Sequence, residues 1–153
     1  MILETHVVIH RPRSEVFAFF SNAENLERLT PPELHFEILT PTPIDMRAGR
    51  EIDYRIRLFG VPLRWRTEIT LWAPPYEFID VQRRGPYAEW IHHHLFPEEN
   101  GGVRITDRVR YRLPFGGWGR LAHPWVRHEL NRIFDYRQNA VRTYFADRGK
   151  EIL

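Results

Sequence analysis

The sequence predicts an α+β chain: an antiparallel sheet of about seven strands covered by one long C-terminal helix, with two short helices after the first strand. Three observations carry this reading. Apolar residues recur at a period of two through most of residues 34–113, helical spacing is confined to 15–29 and to the stretch beyond 118, and turns rich in Pro and Gly separate the strand-like runs.

Each element follows from its residues. "LETHVVIH" (3–10) is the first strand, and "RPRSE" ends it, with Ser14 as a helix N-cap. "EVFAFFSNAENLERL" has apolar residues at helical spacing and breaks near Ser21 and Asn22, which divides it into two short helices. "TPPE" stops them. "LHFEILT" (34–40) is a strand, and "PTPIDMRAG" is a turn-rich connection. "REIDYRIRLF" (50–59) and "VPLRWRTEITLW" (61–72) alternate cleanly, and the tight "FG" between them makes a hairpin. Pairing Leu58 with Val61 sets Tyr54 opposite Trp65 and Asp53 opposite Arg66. "YEFIDVQRR" (76–84) and "PYAEWIHHHLF" (86–96) form another pair, and "PEENGG" leads into "VRITDRVRYRL" (103–113). From about Trp118 to Arg148 the pattern is helical, with Pro124 marking a first turn or a kink. The strands have an arginine-rich face and an apolar face, and only this helix is long enough to cover the apolar one.

Composition narrows the class. A chain of 153 residues, 42% hydrophobic and 27% charged, suits one globular domain over 1–153 with a substantial core. It has no cysteine, so a disulfide framework and a thiolate metal site are both excluded. No apolar run approaches the roughly 20 residues that span a bilayer, and the N-terminus lacks a signal-like pattern. Stable membrane insertion is therefore not expected, and a cytoplasmic location is. Basic and acidic residues nearly balance at 22 and 20, and Lys150 is the only lysine. Arg55, Arg64, Arg104, Arg108, Arg110 and Arg112 share the outer face with Asp53, Glu68 and Glu89. That mixture reads as a solvated, ion-paired surface, and no nucleic-acid partner is expected.

The chemistry concentrates in "EWIHHHLF" (89–96). Alternation puts Trp90, His92, His94 and Phe96 on one face and leaves His93 on the other. If "PEENGG" pairs Phe96 with Val103, His92 faces Asp107; a shift of two residues puts His94 there instead. Either register gives Asp107, a carboxylate on an apolar face, an imidazole neighbour. Arg137 lies within the helix stripe of Leu130, Ile133, Phe134, Val141 and Tyr144 and can reach the same interior. A His-x-His pair with Asp107 could hold zinc, but no further His or carboxylate falls clearly on this face, and neither a metal nor a cofactor is expected.

The stretches "LTPPELHFEILTPTPIDMRAG", "IDYRIRLFGVPLRWRTEIT", "GPYAEWIHHHLF", "TDRVRYRLPFG" and "RIFDYR" together resemble the START/Bet v 1-like (SRPBCC) superfamily, in its bacterial polyketide cyclase and ligand-binding branch. The resemblance covers nearly the whole chain. It implies a helix-grip fold, a curved sheet wrapped around the C-terminal helix with a cavity between them. It also implies a small, largely apolar ligand: a lipid, isoprenoid or polyketide-like molecule. Tyr54, Trp65, Phe78, Trp90 and Phe134 would supply apolar wall, and Gln82, His92, His94, Asp107 and Arg137 would orient a polar group. The alternative is a cyclase or dehydratase, with His92 or His94 as base, Asp107 as its orienter and Arg137 facing enolate charge.

Overall fold

The computed structural model describes the backbone of residues 1–151 and the side chains of residues 1–146. Strand β1 (Ile2–Ile9) leads into helix α1 (Arg13–Ser21) and two 3-10 turns, Ala23–Leu26 and Pro32–Leu34. The strands β2 (Glu37–Ile38), β3 (Glu51–Leu58), β4 (Val61–Ala73), β5 (Glu77–Arg84), β6 (Glu89–Leu95), β7 (Glu98–Glu99) and β8 (Gly102–Arg112) follow, and helix α2 (Gly117–Glu151) closes the chain. This is the helix-grip architecture.

Two local readings change. The N-cap of α1 is Pro12 rather than Ser14, with no side-chain capping bond; its φ of −58° already suits entry into the helix. The strand expected over 34–40 shrinks to Glu37–Ile38, because Pro32–Leu34 forms a 3-10 turn and His35 takes a left-handed φ of 46°. Pro124 lies inside α2, beyond its first turn.

The sheet is antiparallel in the order β1-β8-β6-β5-β4-β3-β2, with β7 also paired to β8. Its registers are set at tight turns. Phe59 and Gly60 both have positive φ, 53° and 77°, so a two-residue turn sets Leu58 opposite Val61 and Tyr54 opposite Trp65. Asn100 and Gly101 do the same at 49° and 78°, which pairs Glu99 with Gly102 and Glu98 with Val103. Counting back along that ladder places His94 opposite Asp107 and Trp90 opposite Tyr111. The register is therefore the alternative two residues removed from a Phe96–Val103 pairing.

The β4–β5 ladder is interrupted between Arg66 and Thr67 and between Ile69 and Leu71. Such irregularities bend a strand and increase its twist, which curves the sheet toward α2. Among the described residues of α2, Leu130, Phe134, Arg137, Val141 and Phe145 are buried and recur at helical spacing. They meet two apolar clusters. One gathers Phe17, Phe20, Phe96 and Val103, and the other Leu3, Trp65, Trp90, Val109 and Tyr111. On the outer face, arginines pair across strands: Arg66 with Asp53 at 2.8 Å, Arg108 with Glu4 at 2.7 Å and Arg110 with Glu89 at 3.0 Å. Among the described residues, no helix is long and apolar enough to cross a membrane.

Candidate functional site

Between the two clusters, the inner face of β3–β6 and α2 do not meet completely. A cavity of about 190 Å³ remains, walled by Ile52, Tyr54, Trp65, Phe78, Trp90 and Phe134 among others. Tyr54 stacks on Trp65 with ring centroids 5.8 Å apart, and Trp90 meets Trp65 edge to face at 5.4 Å. The wall is rigid aromatic surface.

One side of the cavity is polar. His92 and His94 are two apart on β6, so both point inward, and their rings stack at 3.6 Å. His92 Nε2 lies 2.7 Å from Asp107 Oδ1, and His94 Nε2 lies 2.6 Å from Asp80 Oδ2. Arg137 donates to both carboxylate oxygens of Asp107, through Nε at 3.1 Å and Nη2 at 3.2 Å. Thr67 Oγ1 donates to the other oxygen of Asp80 at 3.0 Å. Phe78 stacks against His94 at 4.0 Å and Phe134 meets His92 edge-on at 5.7 Å, which limits rotation of both imidazoles.

Charge divides unequally between the two histidines. Burial, together with the positive charge of His94, pushes the His92 pKa down to about 4 against the pull of Asp107. Burial also acts to lower His94, but hydrogen bonds to Asp107 and Asp80 outweigh it and raise its pKa. For Asp107, burial opposes ionisation, yet the Arg137 charge and the imidazole hydrogen bonds hold its pKa well below the usual carboxylate range. Asp80 is likewise lowered despite its burial, chiefly by its hydrogen bond to His94. The cluster therefore sets two carboxylates that are held ionised against one guanidinium and two imidazoles whose pKa values are pushed apart, His92 downward and His94 upward. Burial raises the pKa of Tyr54 and of Tyr87, which keeps both phenols neutral.

The structure brings together most of the residues singled out from the sequence. Tyr54, Trp65, Phe78, Trp90, His92, His94, Phe134 and Arg137 line the cavity, and Asp107 sits behind the histidines. Gln82 does not join them. Its amide folds back over Gly85, accepts from Tyr87 N at 3.2 Å and donates to Tyr87 O at 2.8 Å, so its polar atoms brace the β5–β6 turn. Asp80 is the residue missed. It follows Phe78 on the same face of β5, the alternation argument already applied to Asp107, and it corrects the reading that no further carboxylate lies on the histidine face.

Asp80, His92 and His94 offer ligand-type atoms within 4.8 Å of one another. Both Nε2 atoms are engaged by carboxylates, and Arg137 Nη2 stands 3.4 Å from His94 Nδ1.

No protein-family model matches the sequence, and no curated protein is similar to it at a significant level. Solved structures are similar in fold. Protein Ms6760 from Mycobacterium smegmatis is 16% identical, with 96% of this chain and 92% of that one covered at a TM-score of 0.72. TTHA0849 from Thermus thermophilus is 18% identical, covering 97% and 99% at 0.70. Ara h 8.0201 is 14% identical, covering 94% and 98% at 0.62. These likenesses show a shared fold.

Proposed function

We propose that this protein binds a small, largely apolar molecule between the sheet and α2, with one uncharged polar group of the ligand at the His92 side. The observation that carries this reading is the apolar cavity with a single polar side. Because the Arg137 guanidinium is already bound to both oxygens of Asp107, and Asp80 adds a second carboxylate beside it, a carbonyl or hydroxyl fits there better than a carboxylate. The inner space alone is small. It shares Leu34, Leu58, Tyr87, Leu130 and Ile133 with an outer groove of about 460 Å³, and the two together reach the roughly 300–1,000 Å³ usual for ligand pockets. An elongated lipid, isoprenoid or polyketide-like molecule suits that shape.

A titration with N-phenyl-1-naphthylamine, an uncharged apolar fluorophore, tests the reading. Saturable fluorescence enhancement is expected for the wild type. Ile133→Trp, which fills the junction of cavity and groove, should weaken binding by about tenfold or more, equivalent to about 1.4 kcal/mol. Absence of saturable binding, or equal binding by a folded Ile133→Trp variant, would count against it.

A second reading is favoured by one specific observation, two stacked histidines that are each hydrogen-bonded to a separate carboxylate, with pKa values pushed in opposite directions. Two imidazoles set apart in this way are an arrangement for taking a proton from one ligand atom and returning it to another, as a cyclase or dehydratase requires. His92 donates Nε2–H to Asp107, and its Nδ1 makes no hydrogen bond among the described residues. Deuterium exchange from solvent into a bound β-diketone, abolished in His92→Gln, is the outcome that reading requires.

A further inference from the structure

The outer groove opens through a surface that folding leaves uncovered. Phe115 is 82% exposed, Trp118 76% and Leu121 75%, and Phe59, Val61 and Trp125 are each more than half exposed. Side chains of this size seldom stand together in water without a partner. Trp118, Leu121 and Trp125 are spaced three and four residues apart, so they form one stripe on α2. Phe59 stacks on Trp125 with centroids 3.9 Å apart, which joins the β3–β4 turn to that stripe. Phe59, Phe115 and Trp118 also line the groove itself. The exposed stripe and the groove therefore share Trp118, and Phe59 joins the two.

Its charge identifies what would cover it. The sequence contains no Asp or Glu from Leu113 to His128, a stretch that carries Arg120 and Arg127, and none from Tyr54 to Thr67, where Arg57 lines the groove while Arg55 and Arg66 are ion-paired on the outer face of the sheet. At the groove rim, Glu33 and Glu129 are both engaged by Arg132. Arg57 and Arg120 make no ion pair among the described residues. A second copy of the chain, packed face to face, would set this cationic surface against itself. An anionic bilayer complements it: indole and phenyl rings enter the boundary between headgroups and acyl chains while guanidinium groups remain with the phosphates.

We propose that Phe59, Phe115, Trp118, Leu121 and Trp125, with Arg57 and Arg120, dock the protein reversibly on an anionic lipid surface, with the groove mouth facing the membrane. Docking goes beyond the cavity reading and does not depend on it. If both hold, an apolar molecule passes between bilayer and cavity without crossing water.

The experiment is co-sedimentation of the full chain with phosphatidylcholine vesicles, with and without phosphatidylserine. Binding is expected only with phosphatidylserine, and it should weaken several-fold as salt is raised. Leu121→Ser/Trp125→Ser should reduce partitioning by about tenfold or more, and Arg57→Gln/Arg120→Gln by several-fold. Leu121 and Trp125 are exposed and do not line the groove, so Leu121→Ser/Trp125→Ser should still bind N-phenyl-1-naphthylamine in free solution, which separates failure of docking from failure of the cavity. No binding to either vesicle, or undiminished binding by Leu121→Ser/Trp125→Ser, would overturn the proposal. So would a concentration-dependent dimer abolished by that variant, because the patch would then belong to a second copy.

Discussion

Replacing Asp107 with alanine should destabilise the protein by roughly 3–5 kcal/mol, the range for breaking a buried ion pair from one side. Asp107 is 4% exposed and Arg137 8%, and two hydrogen bonds join them. Removing the carboxylate leaves a guanidinium without its counter-ion in a low-dielectric interior, and His92 loses its acceptor as well. The loss should lie in the stranded charge rather than in packing. Asp107→Leu/Arg137→Met, which removes both charges and keeps volume, should recover most of it. Urea unfolding at neutral pH measures both variants. A cost below about 1 kcal/mol for Asp107→Ala would mean that water already solvates the cluster.

Stability should also fall by about 3 kcal/mol as the pH drops from 6.5 toward 4, and His92 is the cause. In the unfolded chain this imidazole takes up a proton near its ordinary value of 6.5, whereas in the folded protein it resists until about 4. Between those values the unfolded state binds more protons, so acid favours unfolding. His94 has the opposite sign: its raised pKa adds stability that is fully present below 6.5 and is lost only as pH rises through its folded value. Asp80 and Asp107 have lowered pKa values, so their contributions persist above about 3.8 and are lost below it. The interval from 4 to 6.5 is thus set by His92 within this cluster. His92→Gln keeps an amide donor for Asp107 without a titrating group, and it should flatten the dependence. Urea midpoints at pH 7 and pH 4.5 provide the check, and an unchanged slope in His92→Gln would refute the assignment.

How far the site could be read from the sequence depended on whether a side chain's direction was fixed locally. The β3–β4 hairpin was legible to the residue because strict alternation and a two-residue turn leave one register, and Tyr54 and Trp65 pair as that pattern requires. The β6–β8 register stayed open between two alternatives until Asn100 and Gly101 were recognised as the turn. Arg137 was legible because it interrupts an apolar stripe at helical spacing. Asp80 was obscured by Asp107, which already answered the question of what the histidines meet. Gln82 shares a strand face with Asp80, but it lies close enough to the β5–β6 turn for backbone groups of Tyr87 to claim its amide. The cavity itself could not be derived. Its volume depends on how far the irregularities at Arg66/Thr67 and Ile69/Leu71 bend β4 around α2, and alternation carries no information about bending. The aromatic stripe on α2 was hidden for a related reason: only docking of the helix shows which of its apolar residues remain outside.

The central claim is that the space between sheet and helix is a binding site rather than a packing defect. A crystal structure of the protein with N-phenyl-1-naphthylamine tests it most directly. The account predicts that the probe's rings lie among Trp65, Trp90 and Phe134, with its amine directed toward the His92 side. An inner cavity that stays empty, with the probe confined to the outer groove beside Phe115 and Trp118, would contradict it.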